Sequence, residues 1–199
     1  NNFKKYNTVP ICGFIYHDEV NRCKPVKYSW SGGEEKVSLG DAFKLNAELY
    51  LTALWNKLFD MQIIEKFNVR FDENLSMGED LRFSVEYFEK SDTEFVYAFS
   101  AHLYHYTKLS ENTLMSDFAR GNAEDGIKSL KMIYDLAVKY NSDAELEYNK
   151  AVKNLKDNYI YFLVRDKKYS WKQQLKKIRG FSEKYTLLTF LVDKLKAVR

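Results

Sequence analysis

Proline is almost missing from this chain, two residues in 199, and glycine supplies only eight. That scarcity excludes a collagen-like or linker-rich organisation. Cysteine is as sparse. Cys12 and Cys23 are the only two; they fall in what reads as a strand pair and lack the further ligands, at zinc-site spacing, that a structural metal requires. Reduced structural thiols are expected, and the residues by themselves predict no bound metal. Long apolar runs are missing too: stretches such as "LLTFLV" at 187 to 192 are far short of the ~20 residues that cross a bilayer as a helix. With no basic-then-apolar leader at the N-terminus, the expected location is cytoplasmic. No nucleic-acid partner is expected.

What is present is apolar and aromatic in the proportions of a folded chain, 45% and 16%, enough for one full core and a second, smaller cluster. The formal charge of +3 hides an uneven distribution. Residues 165 to 199 hold eleven Lys or Arg against three Asp or Glu, a net +8, which leaves −5 for the rest. Two readings of that basic stretch stay open: a solvated helix face, or attraction to anionic lipid or a polyanionic partner. In the second, Leu187, Leu191, Leu195 and Val198 would supply an apolar face and the protein would associate with a membrane. A first residue that is Asn1 rather than Met fits a piece cut from a longer protein.

Along the chain, "VPICGFIY" (9 to 16) is a β-prone apolar run and "RCKPVKYSW" (22 to 30) alternates well enough to be its hairpin partner or neighbour. "SGGEE" breaks the pattern. From Ser38 to Asn68 the period is mostly helical, with Asn68 as a stop and "VRFDENLS" as a polar connection. "EFVYAF" (94 to 99) and "HLYHYTK" (102 to 108) read as two short strands, and helices are expected at about 116 to 140, 143 to 166, 170 to 184 and 186 to 198. The predicted class is therefore α/β, with part of a sheet and its helices in residues 1 to 115, followed by an all-α C-terminal subdomain, 116 to 199. Few strands between long helical stretches suggest a sheet completed elsewhere, or a small sheet with exposed edges that self-association would cover.

The stretch "NLSMGEDLRFSVEYFEK" (74 to 90) poses a specific question. At 100° per residue, Leu81, Phe83, Ser84, Val85, Tyr87 and Phe88 share one broad face, and Asp80 falls on it between Tyr87 and Ser84. Glu79 has a structural role if Ser76 and Glu79 form a capping box. Asp80 is not covered by that account. A carboxylate turned toward a core needs a partner or a wet cleft, so it is either a general base in a cleft or an ion-pair partner of a neighbouring cation such as Lys57.

The ordered set "WNKL", "RFDE", "GED" and "LYHY" within residues 9 to about 115 resembles the second half of the catalytic domain of bacterial family 2 glycosyltransferases, inverting enzymes of the GT-A fold. The resemblance implies that Asp80 is the catalytic base that deprotonates an acceptor hydroxyl. It implies substrate contacts from Trp55, Asn56, Lys57, Glu79 and His105, with Trp55 offering an indole face for a sugar. Packing for Trp55 and Leu58, a solvated Lys57, and a hydrogen-bonded core role for His105 are the alternatives left open. The partners implied are a nucleotide-sugar donor and a glycan or lipid-linked acceptor. The cofactor implied is a divalent cation, Mg or Mn, in the full-length enzyme. The chain itself has no Asp-x-Asp motif and no glycine-rich nucleotide loop, so it is not expected to hold that cation alone. A competing expectation is a non-catalytic helical module that docks a partner or a membrane surface.

Overall fold

A computed structural model of the chain describes residues 8–73, 75, 78–109, 123–140, 143–165, 167–182 and 185–197. Strand β1 (Val9–Asp18) buries Val9, Ile11 and Phe14, and the run 9 to 16 read from the sequence is its body. Strand β2 (Val26–Tyr28) pairs antiparallel with it, Phe14 opposite Tyr28, as the hairpin reading of 22 to 30 required. Gly13 makes that approach feasible, since a Cβ there would stand 2.6 Å from the Tyr28 carbonyl oxygen.

Strand β3 (Glu35–Ser38) was not expected. Its only buried apolar residue is Val37, too little alternation to betray a strand, and it follows a turn in which Gly33 takes φ +85. A 3-10 turn (Leu39–Asp41), capped by the Ser38 hydroxyl, leads into α1 (Ala42–Ala47). The helical period from Ser38 to Asn68 does not yield one helix. Leu49 adopts φ 65, residues 48 to 56 run mostly as turns, Lys57 bridges to β1, and helix resumes only at α2 (Met61–Phe67). Asn68 ends α2 in the left-handed conformation, which its short polar side chain tolerates.

Helix α3 (Glu79–Lys90) buries Leu81, Phe83, Ser84, Val85, Tyr87 and Phe88, the face that the period predicts. Its N-cap is Gly78, at φ +82 and without a side-chain cap, so Glu79 is the first helical residue and not the third. The capping box would also need Ser76, which lies outside the described residues. The "RFDE" connection docks on this helix: Phe71 stacks on Phe83 at 4.7 Å and Asp72 pairs with Arg82 at 2.7 Å. The Tyr87 hydroxyl accepts the Asp60 backbone N–H at 2.8 Å.

Strand β4 (Phe95–Lys108) is one strand where two were expected. It runs parallel to β1 and antiparallel to β3, giving the order β2-β1-β4-β3. Its apparent interruption at Ser100 and Ala101 is where the register slips: ten residues of β1 lie opposite thirteen of β4, with irregularities on both sides of Gly13. Such bulges bend a sheet and re-aim its side chains.

Helices α4 (Ala123–Tyr140), α5 (Glu145–Arg165), α6 (Trp171–Phe181) and α7 (Leu187–Ala197) follow. The protein is thus mixed α/β, a four-stranded sheet with seven α-helices among the described residues. Those residues group into two compact units, one within 1–111 and 129–148, the other within 112–128 and 149–199. The core of the first gathers Ile11, Leu39, Tyr50, Leu81, Phe88, Val96, Ile133 and Leu136. The second unit packs Leu163, Val164, Leu175, Ile178, Tyr185 and Phe190, and α6 opens with a capping box between Ser170 and Gln173. No described helix is long and apolar enough to cross a membrane.

Candidate functional site

The turn between α1 and α2 is built around two buried polar side chains of the "WNK" element. Asn56, 1% exposed, donates from Nδ2 to the Leu49 carbonyl at 3.2 Å. Its own carbonyl accepts the Cys12 N–H at 2.8 Å, and the Leu58 N–H donates to Pro10 O at 3.2 Å. Residues 56 to 58 therefore run along β1 as a short antiparallel bridge centred on Ile11 and Lys57.

Lys57 is not solvated, as one sequence reading had it, but 7% exposed. Its Nζ donates to the carbonyl oxygens of Ala53 and Leu51, the latter at 3.4 Å, and to Asn56 Oδ1 at 3.0 Å. The carbonyls of a left-handed turn thus find a single charged donor, which holds the turn shut. Burial pushes the Lys57 ammonium down to about 7, while the charge of Asp80 acts the other way.

Beside this turn opens a cleft of about 640 Å³, lined among others by Cys12, Trp55, Asn56, Lys57, Leu58 and Leu103. Leu58 is 65% exposed, so packing does not account for it. The Trp55 indole stacks on Tyr104 at 4.5 Å and meets the edge of Phe14 at 4.8 Å. One indole face is therefore covered by a tyrosine. The "WNKL" and "LYHY" elements, nearly fifty residues apart in sequence, meet in this contact.

Asp80 lies in the first turn of α3, where the helix dipole favours a negative charge. It is part-buried and, among the described residues, makes no hydrogen bond and no ion pair. The Lys57 pairing considered from the sequence is thus a longer-range charge interaction. Burial raises the carboxyl above its ordinary value, the adjacent Glu79 carboxylate raises it further, and Lys57 opposes both. Lys57 is a lining residue of the cleft and its charge acts on Asp80; Asp80 and Glu79 are not themselves among the lining residues.

His105 is placed apart from the cleft and is not a core residue. It is exposed on β4, stacks on His17 of β1 with ring centroids 5.0 Å apart, and shares a 2.8 Å hydrogen bond between His17 Nε2 and its own Nδ1. Sequence reasoning missed His17 because only the register of the parallel pair brings positions 17 and 105 together. It also missed Glu34, a cleft residue whose carboxylate accepts from the Ser100 hydroxyl at 3.1 Å.

Among the described residues, the donor set at the cleft does not fit a divalent cation. Glu34 is the single carboxylate among the described lining residues, the charge of Lys57 acts on Asp80, and no group of three or more His, Cys, Asp or Glu among the described residues could hold a metal ion. Sharing one ion needs several oxygen donors at close quarters. A scan of the sequence against protein-family models gives no match, and a search of curated proteins gives none.

Proposed function

We propose that this chain is the acceptor-side portion of an inverting glycosyltransferase of family 2 with GT-A-like architecture, and that Asp80 is its general base. The observation that carries the reading is a part-buried carboxylate in the first turn of α3, without a hydrogen bond or ion pair among the described residues and under the charge of a lysine that lines a cleft. Two further contacts support it. Trp55 stacks on Tyr104, and the "RFDE" connection packs against the helix that begins at "GED", so motifs separated in sequence converge in space.

In this reading Asp80 takes the proton of an acceptor hydroxyl as that oxygen bonds the anomeric carbon and the sugar's bond to the departing nucleoside diphosphate breaks. A carboxylate whose pKa is raised toward the working pH is a better base than one in water, provided it stays ionised. The helix dipole favours the ionised form, and Lys57 adds to this to the extent that its ammonium, pushed down to about 7 by burial, keeps its proton. Binding of the nucleotide-sugar, and of the cation that the resemblance implies, falls to residues of the complete protein beyond this sequence. The interaction-module alternative makes Asp80 a paired core charge, and its lack of a described partner speaks against that.

The test is Asp80→Asn in the complete enzyme, assayed by nucleoside diphosphate release from UDP- and GDP-sugars. Loss of a general base costs about 10² to 10⁴ in rate and appears in kcat, with donor affinity unchanged. The thermal midpoint should not fall, because no pairing is lost. A destabilised variant with near-normal specific activity would overturn the assignment.

A further inference from the structure

Helix α7 presents an arc of leucine to solvent. Phe190 on its opposite side is 1% exposed and sits in the core of the helical unit, whereas Leu187, Leu188, Leu191 and Leu195 are 43%, 72%, 51% and 71% exposed. At 100° per residue those four positions span about 100° of the helix surface, the width of a docking face rather than a scatter of single side chains. The same end of the chain, residues 165 to 199, carries the net charge of +8. On α6, in the same unit, Lys172, Lys176 and Lys177 are exposed, and Trp171 at its start is 51% exposed.

We infer that the α7 leucine arc docks on the surface of an anionic lipid bilayer, lying in the interface rather than crossing it. Charge decides between this occupant and a second copy of the chain. Two copies joined leucine to leucine would bring one +8 segment against another, and the arc offers on the order of 400 Å², about half of what each partner gives a standard interface. An anionic leaflet attracts the same charge. It also accepts a shallow apolar face without demanding a shaped counterpart. Lys194 borders the arc and is tied at its Nζ to the Val164 carbonyl, which fixes α7 against α5 and leaves the leucines outward. This inference is independent of the glycosyltransferase reading.

Vesicle co-sedimentation tests it, comparing neutral phosphatidylcholine with the same lipid containing about 30% phosphatidylglycerol. The expected result is at least about tenfold stronger binding to the anionic vesicles, since a few lysines at such a surface suffice for that factor, and loss of the preference at about 0.5 M salt, where charges are screened within a few ångströms. The triple change Leu188→Ser, Leu191→Ser, Leu195→Ser should abolish binding while leaving circular dichroism and thermal midpoint unchanged, because all three side chains are exposed. Lys172→Glu with Lys176→Glu and Lys177→Glu should remove the preference for anionic lipid. Equal binding to both vesicles, no binding to either, wild-type binding by the leucine variant, or a dimer in light scattering that the leucine variant dissolves would each overturn the inference.

Discussion

Replacing Lys57 by Met should change how stability depends on pH more than it changes stability at any one pH. The Lys57 ammonium is 7% exposed and is pushed down to about 7 by burial, whereas in the unfolded chain a lysine titrates near about 10.4. Between those values the unfolded state binds a proton that the folded state has released. Wherever the unfolded state holds more protons stability rises with pH, here by up to about 1.4 kcal/mol per unit for this single group. From pH 7 to pH 9 the gain is therefore about 2 to 3 kcal/mol. Above pH 10 Tyr50 works in the opposite sense: burial raises its hydroxyl to about 12, so the unfolded tyrosine ionises first and stability falls. The informative window is thus pH 7 to 9. Met keeps most of the length of the side chain but removes its charge and donors, leaving the Leu51 and Ala53 carbonyls and Asn56 Oδ1 short of a partner, at a cost of about 1 to 3 kcal/mol that does not vary with pH. Urea unfolding of both proteins at pH 7, 8 and 9 reads out the lysine, with Asp80 the other group on whose titration Lys57 acts. Parallel pH profiles would refute the reasoning and mean that the three acceptors hold Lys57 charged throughout.

Tyr87→Phe should cost about 1 to 2 kcal/mol in denaturant unfolding, because the buried hydroxyl is the acceptor for the Asp60 N–H and removing it strands that donor; an unchanged midpoint would mean that water replaces it. Gly13→Ala should cost about 1 to 3 kcal/mol by the same measurement, since its Cβ would meet the Tyr28 carbonyl oxygen at 2.6 Å and β2 would have to yield. Asp80→Asn should raise the thermal midpoint at neutral pH. A carboxyl whose pKa is raised on folding penalises the folded state once ionised, and the amide removes that penalty.

Much of the first unit was legible because one residue type dominated each signal. The continuous apolar run from Val9 to Tyr16 is the body of β1; the period of residues 81 to 88 marks the buried face of α3; Asn68 stops α2. The failures share a cause. Residues 48 to 56 have the apolar spacing of a helix, yet they fold mostly as turns because the Asn56 and Lys57 side chains, both buried, satisfy their carbonyls. Period counts apolar positions and is blind to which backbone groups a polar side chain reaches. For the same reason Lys57 read as a solvated cation. The break inside β4 is a register slip against β1, and register is a property of two strands, not of either sequence alone. His17 and Glu34 were hidden in the same way, each brought to its partner by strand pairing rather than by spacing along the chain.

The placement of Asp80 on an apolar face now has a physical account in which Lys57 is as necessary as the carboxylate. Burial disfavours the charge of both groups, raising one pKa and lowering the other, and each charge acts against the other's shift. Neither residue is stabilised by direct contact with the other, so the carboxylate keeps its lone pairs for an incoming proton. The ammonium meanwhile is anchored to the turn rather than to Asp80. An ion pair at contact distance would have tied up the base and depressed its proton affinity. With no lysine acting on it, burial and the Glu79 carboxylate would raise the carboxyl unopposed. In the proposed reading, an ammonium that acts on the carboxylate while bonded elsewhere, at a pH where it keeps its proton, favours the ionised form of the base without occupying it. The carbonyls for that anchor are those of Leu51 and Ala53, in the turn that follows left-handed Leu49, where the helical period of the sequence fails.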